Sequence, residues 1–124
     1  MEQKIKIAII EDEQSIRDLY SFKLELNGYK VKTAENGQKG LELIQQFMPD
    51  LILLDLRMPV LSGEEMLEAL RENDWAKNIK VIVLTNISKD EAPAKLRLLD
   101  VDQYIVKAHH TPAQIVDIVQ KVLN

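Results

Sequence analysis

The chain has 124 residues, with 16 Lys+Arg against 20 Asp+Glu and a formal net charge of −4. The absence of cysteine excludes disulfides and thiolate chemistry, and the acidic balance speaks against nucleic-acid or anionic-membrane binding, which needs a basic face. An apolar share of 46% excludes a disordered chain, and the length fits one domain over residues 1–124, with no output domain expected.

The N-terminus, Met1-Glu2-Gln3-Lys4, precedes a short apolar run at Ile7–Ile10. A signal peptide needs a longer stretch and a membrane helix about 20 residues, so a cytoplasmic protein is expected. Five short β-branched runs follow one another along the chain: Ile5–Ile10, Val31–Ala34, Leu51–Leu54, Val81–Leu84 and Tyr104–Val106. Several are apolar without alternation, as strands covered on both faces are.

Helix-period segments lie between and after them. Ile16, Leu19, Tyr20 and Leu24, interrupted by Lys23, form one face of the first helix. Asn36 is placed to cap the second, where Leu41, Ile44 and Met48 recur. Ser62-Gly63-Glu64-Glu65 reads as a capping box opening the third, with Met66, Leu67 and Leu70 as its stripe. The fourth helix is expected to start at Asp90, which leaves Pro93 in the first turn, where a missing amide is tolerated. Its marks are Ala92, Leu96 and Leu99. Thr111-Pro112-Ala113-Gln114 is a second box, with Pro112 at the first helical position. Ile115, Val116, Val119, Val122 and Leu123 make the fifth stripe, the clearest of all. The pattern is (βα)5: a parallel sheet with right-handed crossovers and helices on both faces.

In such a sheet ligands bind beyond the carboxyl ends of the strands. Glu11, Asp12 and Glu13 follow the first strand, Asp55 the third, Thr85 the fourth and Lys107 the fifth. Carboxylates packed together repel, which raises their pKa or recruits a cation. An all-oxygen set with neither His nor Cys suits a hard ion, Mg2+ above all. A metal beside an aspartate and a lysine is a set for phosphoryl transfer. The cations neutralise the equatorial oxygens while a carboxylate attacks phosphorus in line, giving an aspartyl phosphate.

These residues carry a resemblance. Asp55-Leu56-Arg57-Met58-Pro59 with Gly63 fits the pattern D-x-x-M-P-x-x-x-G, Thr85 stands 30 positions after Asp55, and Lys107 stands 52 after it. Tyr104 precedes Lys107 by three. Over its whole length the chain resembles the response-regulator receiver domains of two-component signalling, the CheY-like family. The resemblance implies a flavodoxin-like doubly wound sheet of order 2-1-3-4-5. It implies Asp55 as phosphoacceptor, Mg2+ bound directly by Asp12 and largely through water by Glu11, and the Arg57 backbone carbonyl as a further ligand beside Asp55. Thr85 would turn its hydroxyl to the phosphoryl group and Lys107 would pair with it. Tyr104 would move into the space Thr85 leaves, shifting the face of the fourth helix, fifth strand and fifth helix. The implied partners are a sensor histidine kinase or histidine phosphotransfer protein and a downstream protein target, with no direct nucleic-acid or membrane partner. Helix one and the loop after strand five would meet the donor. A phosphorylation-dependent dimer belongs to the same expectation, and catalysis is limited to self-phosphorylation and slow dephosphorylation.

Four positions depart from the family. Ala108 follows Lys107 where a proline with a cis bond is usual, and a cis bond before alanine costs about 2.5–4 kcal/mol. Asn86 is large for a position that borders access to Asp55. Asp100 replaces a glycine where a left-handed cap is then less easy. Glu11 stands for the commoner aspartate and keeps its charge. Function is expected to survive, with an altered phosphoryl lifetime.

Other readings compete. A pseudo-receiver would serve as an interaction module without phosphorylation. An aspartyl-phosphate phosphatase would usually carry an acid two residues after its nucleophile, where this chain has Arg57. Flavin binding lacks a phosphate-cradling loop after the first strand and rests on fold alone. The adjacent His109 and His110 do not converge on one ion, and Trp75 is read as a partly packed loop residue.

Overall fold

The computed structural model describes residues 3–124; Met1 and Glu2, which open the leader segment considered above, lie outside the described residues. Five strands form one parallel sheet of order β2-β1-β3-β4-β5: β1 Lys6–Ile10, β2 Lys30–Ala34, β3 Leu51–Leu54, β4 Lys80–Thr85 and β5 Gln103–Val106. The α-helices are α1 Gln14–Leu26, α2 Gly37–Phe47, α3 Gly63–Arg71 and α4 Pro112–Leu123.

Residue parity divides the core. Ala8, Ile10, Ile52, Leu54, Val81 and Val83 point to the layer of α2 and α3, with Ile44, Phe47, Met66, Leu67 and Leu70 opposite them. Ile7, Ile9, Leu51, Leu53, Ile82 and Leu84 point to the layer of α1 and α4, against Tyr20, Leu24, Ile115, Val116 and Val119. The central strands are buried on both faces, which is why their sequences are continuously apolar.

The caps form as expected. The Asn36 side chain accepts from the Lys39 N–H at 2.8 Å. Both capping boxes close: Ser62 Oγ accepts from the Glu65 N–H (3.3 Å) and Thr111 Oγ1 from that of Gln114 (3.2 Å), each answered by the returning side chain. In α2 the inward residue is Phe47. Met48, expected on that stripe, is instead the left-handed C-cap at φ 52° and is exposed.

The fourth helix of the expected (βα)5 does not form. Residues Lys89–Glu91 and Ala94–Leu98 are two 3-10 turns, parted by extended backbone at Ala92 (ψ 143°) and Pro93 (ψ 131°). A residue before proline is driven out of the helical region, so moving Pro93 into the first turn does not rescue the start. Asp100 then takes φ 53° without glycine. The Arg71 guanidinium holds the turn, donating to the carbonyls of Leu99 and Asp100 (both 2.9 Å) as well as those of Ala76 and Ile79. Trp75 stands in a 3-10 turn, Asp74–Ala76, and is 38% exposed.

The two sheet edges differ. On β2, Lys30 and Lys32 are exposed, and the ammonium groups of Lys6 and Lys32 lie 5.6 and 5.4 Å from the Phe47 ring centre. On β5, Ile105 is buried.

Candidate phosphoacceptor site

Glu11, Asp12, Asp55, Thr85 and Lys107 stand at the carboxyl edge of the sheet, while Tyr104 lies within β5, opposite Val83 of β4. Asp55 follows β3, with its N–H on the Ile10 carbonyl (3.0 Å) and its Oδ1 accepting from the Leu56 N–H (2.8 Å). Glu11 follows β1, with its N–H on the Ala34 carbonyl (3.0 Å). Its Oε2 accepts from the Glu13 N–H (3.1 Å) and its Oε1 pairs with the Lys107 ammonium. Lys107 Nζ lies 3.7 Å from Asp55 Oδ2. Glu11 and Asp55 are buried while Asp12 is exposed.

Carboxylate oxygens of Glu11, Asp12 and Asp55 all lie within 4.8 Å of one another. Glu13 is not among them; it is the exposed N-cap of α1, so three of the four carboxylates that follow β1 and β3 converge. The donor set is all oxygen, the kind hard cations prefer. Burial pushes the Glu11 carboxyl up to about 7; its bond from Lys107 opposes this and the neighbouring Asp55 charge adds to it.

Glycine at position 63 is required by the acceptor loop. Its N–H meets the Leu56 carbonyl at 2.9 Å, and a Cβ there would stand 2.1 Å from the Asp55 carbonyl oxygen. That approach is the physical content of the eight-residue spacing from Asp55 to Gly63. Val60, within this loop, adopts φ 71°, an unusual conformation for a β-branched residue, and is 79% exposed.

Thr85 ends β4, buried, with its Oγ1 accepting from the Ile87 N–H at 3.4 Å. Tyr104 is half-buried and donates its hydroxyl to the Ile87 carbonyl at 2.7 Å. Thr85 and Tyr104 therefore meet at one residue. Arg57 keeps its side chain in solvent, and so does Asn86. No cis peptide bond occurs among the described residues, so Lys107–Ala108 takes the trans path and opens a 3-10 turn, Lys107–His109. His109 is exposed and His110 sits near the Val106 carbonyl (3.4 Å).

One contact was not legible in the sequence. Arg17, on α1, donates to the Glu11 carbonyl at 2.7 Å. An arginine on the polar side of a helix gives no sign that it reaches back to a strand end.

The sheet order and the acidic pocket, with a threonine and a lysine at the next strand ends, define the receiver class of response regulators. The family model of the response regulator receiver domain matches residues 7–120, and the chain belongs to that family. It is 37% identical over 120 residues to the phosphate regulon transcriptional regulatory protein PhoB of Pseudomonas aeruginosa, covering 95% of this chain and 51% of that one. It is 36% identical to the DNA-binding dual master transcriptional regulator RpaA of Synechocystis, over 82% of this chain and 42% of that one. The chain thus spans about half the length of the curated relatives it matches. Among solved structures, chemotaxis response regulator CheY4 of Vibrio cholerae is similar with a TM-score of 0.88 at 28% identity, covering 97% of this chain and 99% of that one.

Proposed function

We propose that the protein is a phosphorylation switch in which Asp55 accepts a phosphoryl group from a histidine kinase or phosphotransfer protein. The observation that carries this is the pocket itself: one ammonium, from Lys107, set between Glu11 and Asp55 with Asp12 beside them. Asp12 and Asp55 would hold Mg2+ with the Arg57 carbonyl, and Glu11 largely through water. When bound, the ion would supply charge neutralisation for the transferred group. An Asp55 carboxylate oxygen attacks phosphorus as the bond to the donor's imidazole nitrogen breaks, and that nitrogen leaves with its electron pair. Lys107 leaves Glu11 to pair with the new anion, and the Thr85 hydroxyl turns toward it. That withdraws Thr85 from Ile87, frees Tyr104 to move inward and biases the surface of residues 86–106 and α4 between two populations.

The donor would dock over α1 and the loop after β5. Leu19, expected on the face of Tyr20 and Leu24, is instead 40% exposed and follows one outer stripe of α1 with Phe22 (63%) and Leu26 (71%). A downstream protein reads the shifted surface, a dimer of phosphorylated copies being one form of that reading, with neither nucleic acid nor membrane contacted directly. No helix among the described residues is long and apolar enough to cross a membrane; the switch is proposed to act in the cytoplasm. The protein is no enzyme beyond its own phosphorylation and dephosphorylation. Transfer of radiolabel from a phosphorylated donor with Mg2+ tests this, and label that persists in Asp55→Ala overturns the assignment.

A second reading is a receiver that takes no phosphoryl group, favoured by the Lys107–Ala108 loop, which follows a trans path into a 3-10 turn. That reading predicts no binding of Mg2+ or beryllofluoride, so a saturating titration with either removes it.

A further inference from the structure

Asp12 is exposed, and no side-chain hydrogen bond fixes its carboxylate among the described contacts. Where that carboxylate stands depends on the peptide plane that leads into it, the plane holding the Glu11 carbonyl. Glu13, the N-cap of α1, makes no side-chain cap bond, and the turn is braced by its N–H on Glu11 Oε2 (3.1 Å). The Arg17 guanidinium adds a 2.7 Å bond to the Glu11 carbonyl, the bond that acts directly on that peptide plane.

We infer that Arg17 is a positioning residue for the cation site: it holds the Glu11–Asp12 peptide in the orientation that presents Asp12 to the metal. This rests on the metal reading of the pocket given above. The inference has an unusual sign. A positive charge beside a cation site weakens cation binding, so removing it should tighten the site if charge were its whole effect. A lost positioning bond acts oppositely, because an outer partner that orients a ligand typically changes metal affinity by about 10–100-fold.

The test is calorimetric titration of the full chain with Mg2+, comparing wild type, Arg17→Gln and Arg17→Lys. Binding about tenfold weaker in Arg17→Gln, partly restored in Arg17→Lys, is expected. Equal or tighter binding in Arg17→Gln overturns the inference. Amide exchange in the metal-free proteins separates local from global effects. The Asp12 amide should exchange at least about tenfold faster in Arg17→Gln relative to the Leu24 amide in the core. An unchanged ratio overturns the positioning role even where overall stability has fallen. A wild-type protein that binds no Mg2+ overturns the metal reading instead, a result seen before any variant is made.

Discussion

The two sides of the carboxyl edge are built differently. On the β1–β3 side, Glu11 is held at four points: its N–H by Ala34, its carbonyl by Arg17, and its carboxylate oxygens by Glu13 and Lys107. Asp55 is held by Ile10 and Leu56, with Gly63 packed against its carbonyl. On the β4–β5 side the chain from Asn86 to Asp102 has two 3-10 turns and few anchors. Tyr104 fastens its upper end at Ile87 and Arg71 its lower end at Leu99 and Asp100. Chemistry needs fixed carboxylates, and a conformational response needs a segment of low local stability. The molecule separates the two demands by giving each its own side of the edge.

The largest test of that contrast is Gly63→Ala. A Cβ 2.1 Å from the Asp55 carbonyl cannot be met by a side-chain shift, since the obstacle is backbone. Urea unfolding should show a loss of about 3 kcal/mol or more; a loss under about 1 kcal/mol would show that the acceptor side is as pliable as the other.

A second test uses pH. Between about pH 4.5 and 7 folded Glu11 keeps a proton that the unfolded chain has released. Metal-free protein should therefore lose stability over that window as pH rises. Thermal melts in chelator should place Tm lower at pH 8 than at pH 5, and Glu11→Gln should flatten the slope. Added Mg2+ should reverse the trend, because it binds the ionised pocket.

Smaller effects are expected across the edge. Tyr104→Phe removes the bond to Ile87 and should cost about 1 kcal/mol in urea unfolding. It should also speed amide exchange at Ile87 and Ser88 more than at Asp55. Pro93→Ala should change stability by less than about 1 kcal/mol, yet deepen the helical circular-dichroism signal as residues 90–98 join into one helix. An unchanged spectrum would show that Pro93 is not what divides them.

Legibility in the sequence follows the same boundary. Strand runs, both capping boxes, the Asn36 cap and the stripes of α3 and α4 were readable because each depends on neighbours within a few residues. Glu11, Asp12, Asp55, Thr85 and Lys107 were readable because strand ends are fixed once strands are. Pro93 was misjudged: its effect was weighed on its own position, whereas Ala92 before it was the residue driven out of the helix. Met48 was misassigned because a stripe does not say where its helix stops, and the left-handed cap fell on its last member. Arg71 acts on main-chain carbonyls 28 and 29 residues along the chain and Arg17 reaches back six residues to a strand end, and neither bond leaves a periodic trace. Asp100 shows that a left-handed turn without glycine can be held by a tertiary clamp.

The lysines of β2 have a consequence for the protein in crowded solution. An open parallel sheet offers two rows of backbone groups on which another chain can polymerise. Here the β2 row is flanked by Lys30 and Lys32, exposed charges that repel an identical strand. The β2 margin therefore does not invite a neighbour to extend the sheet.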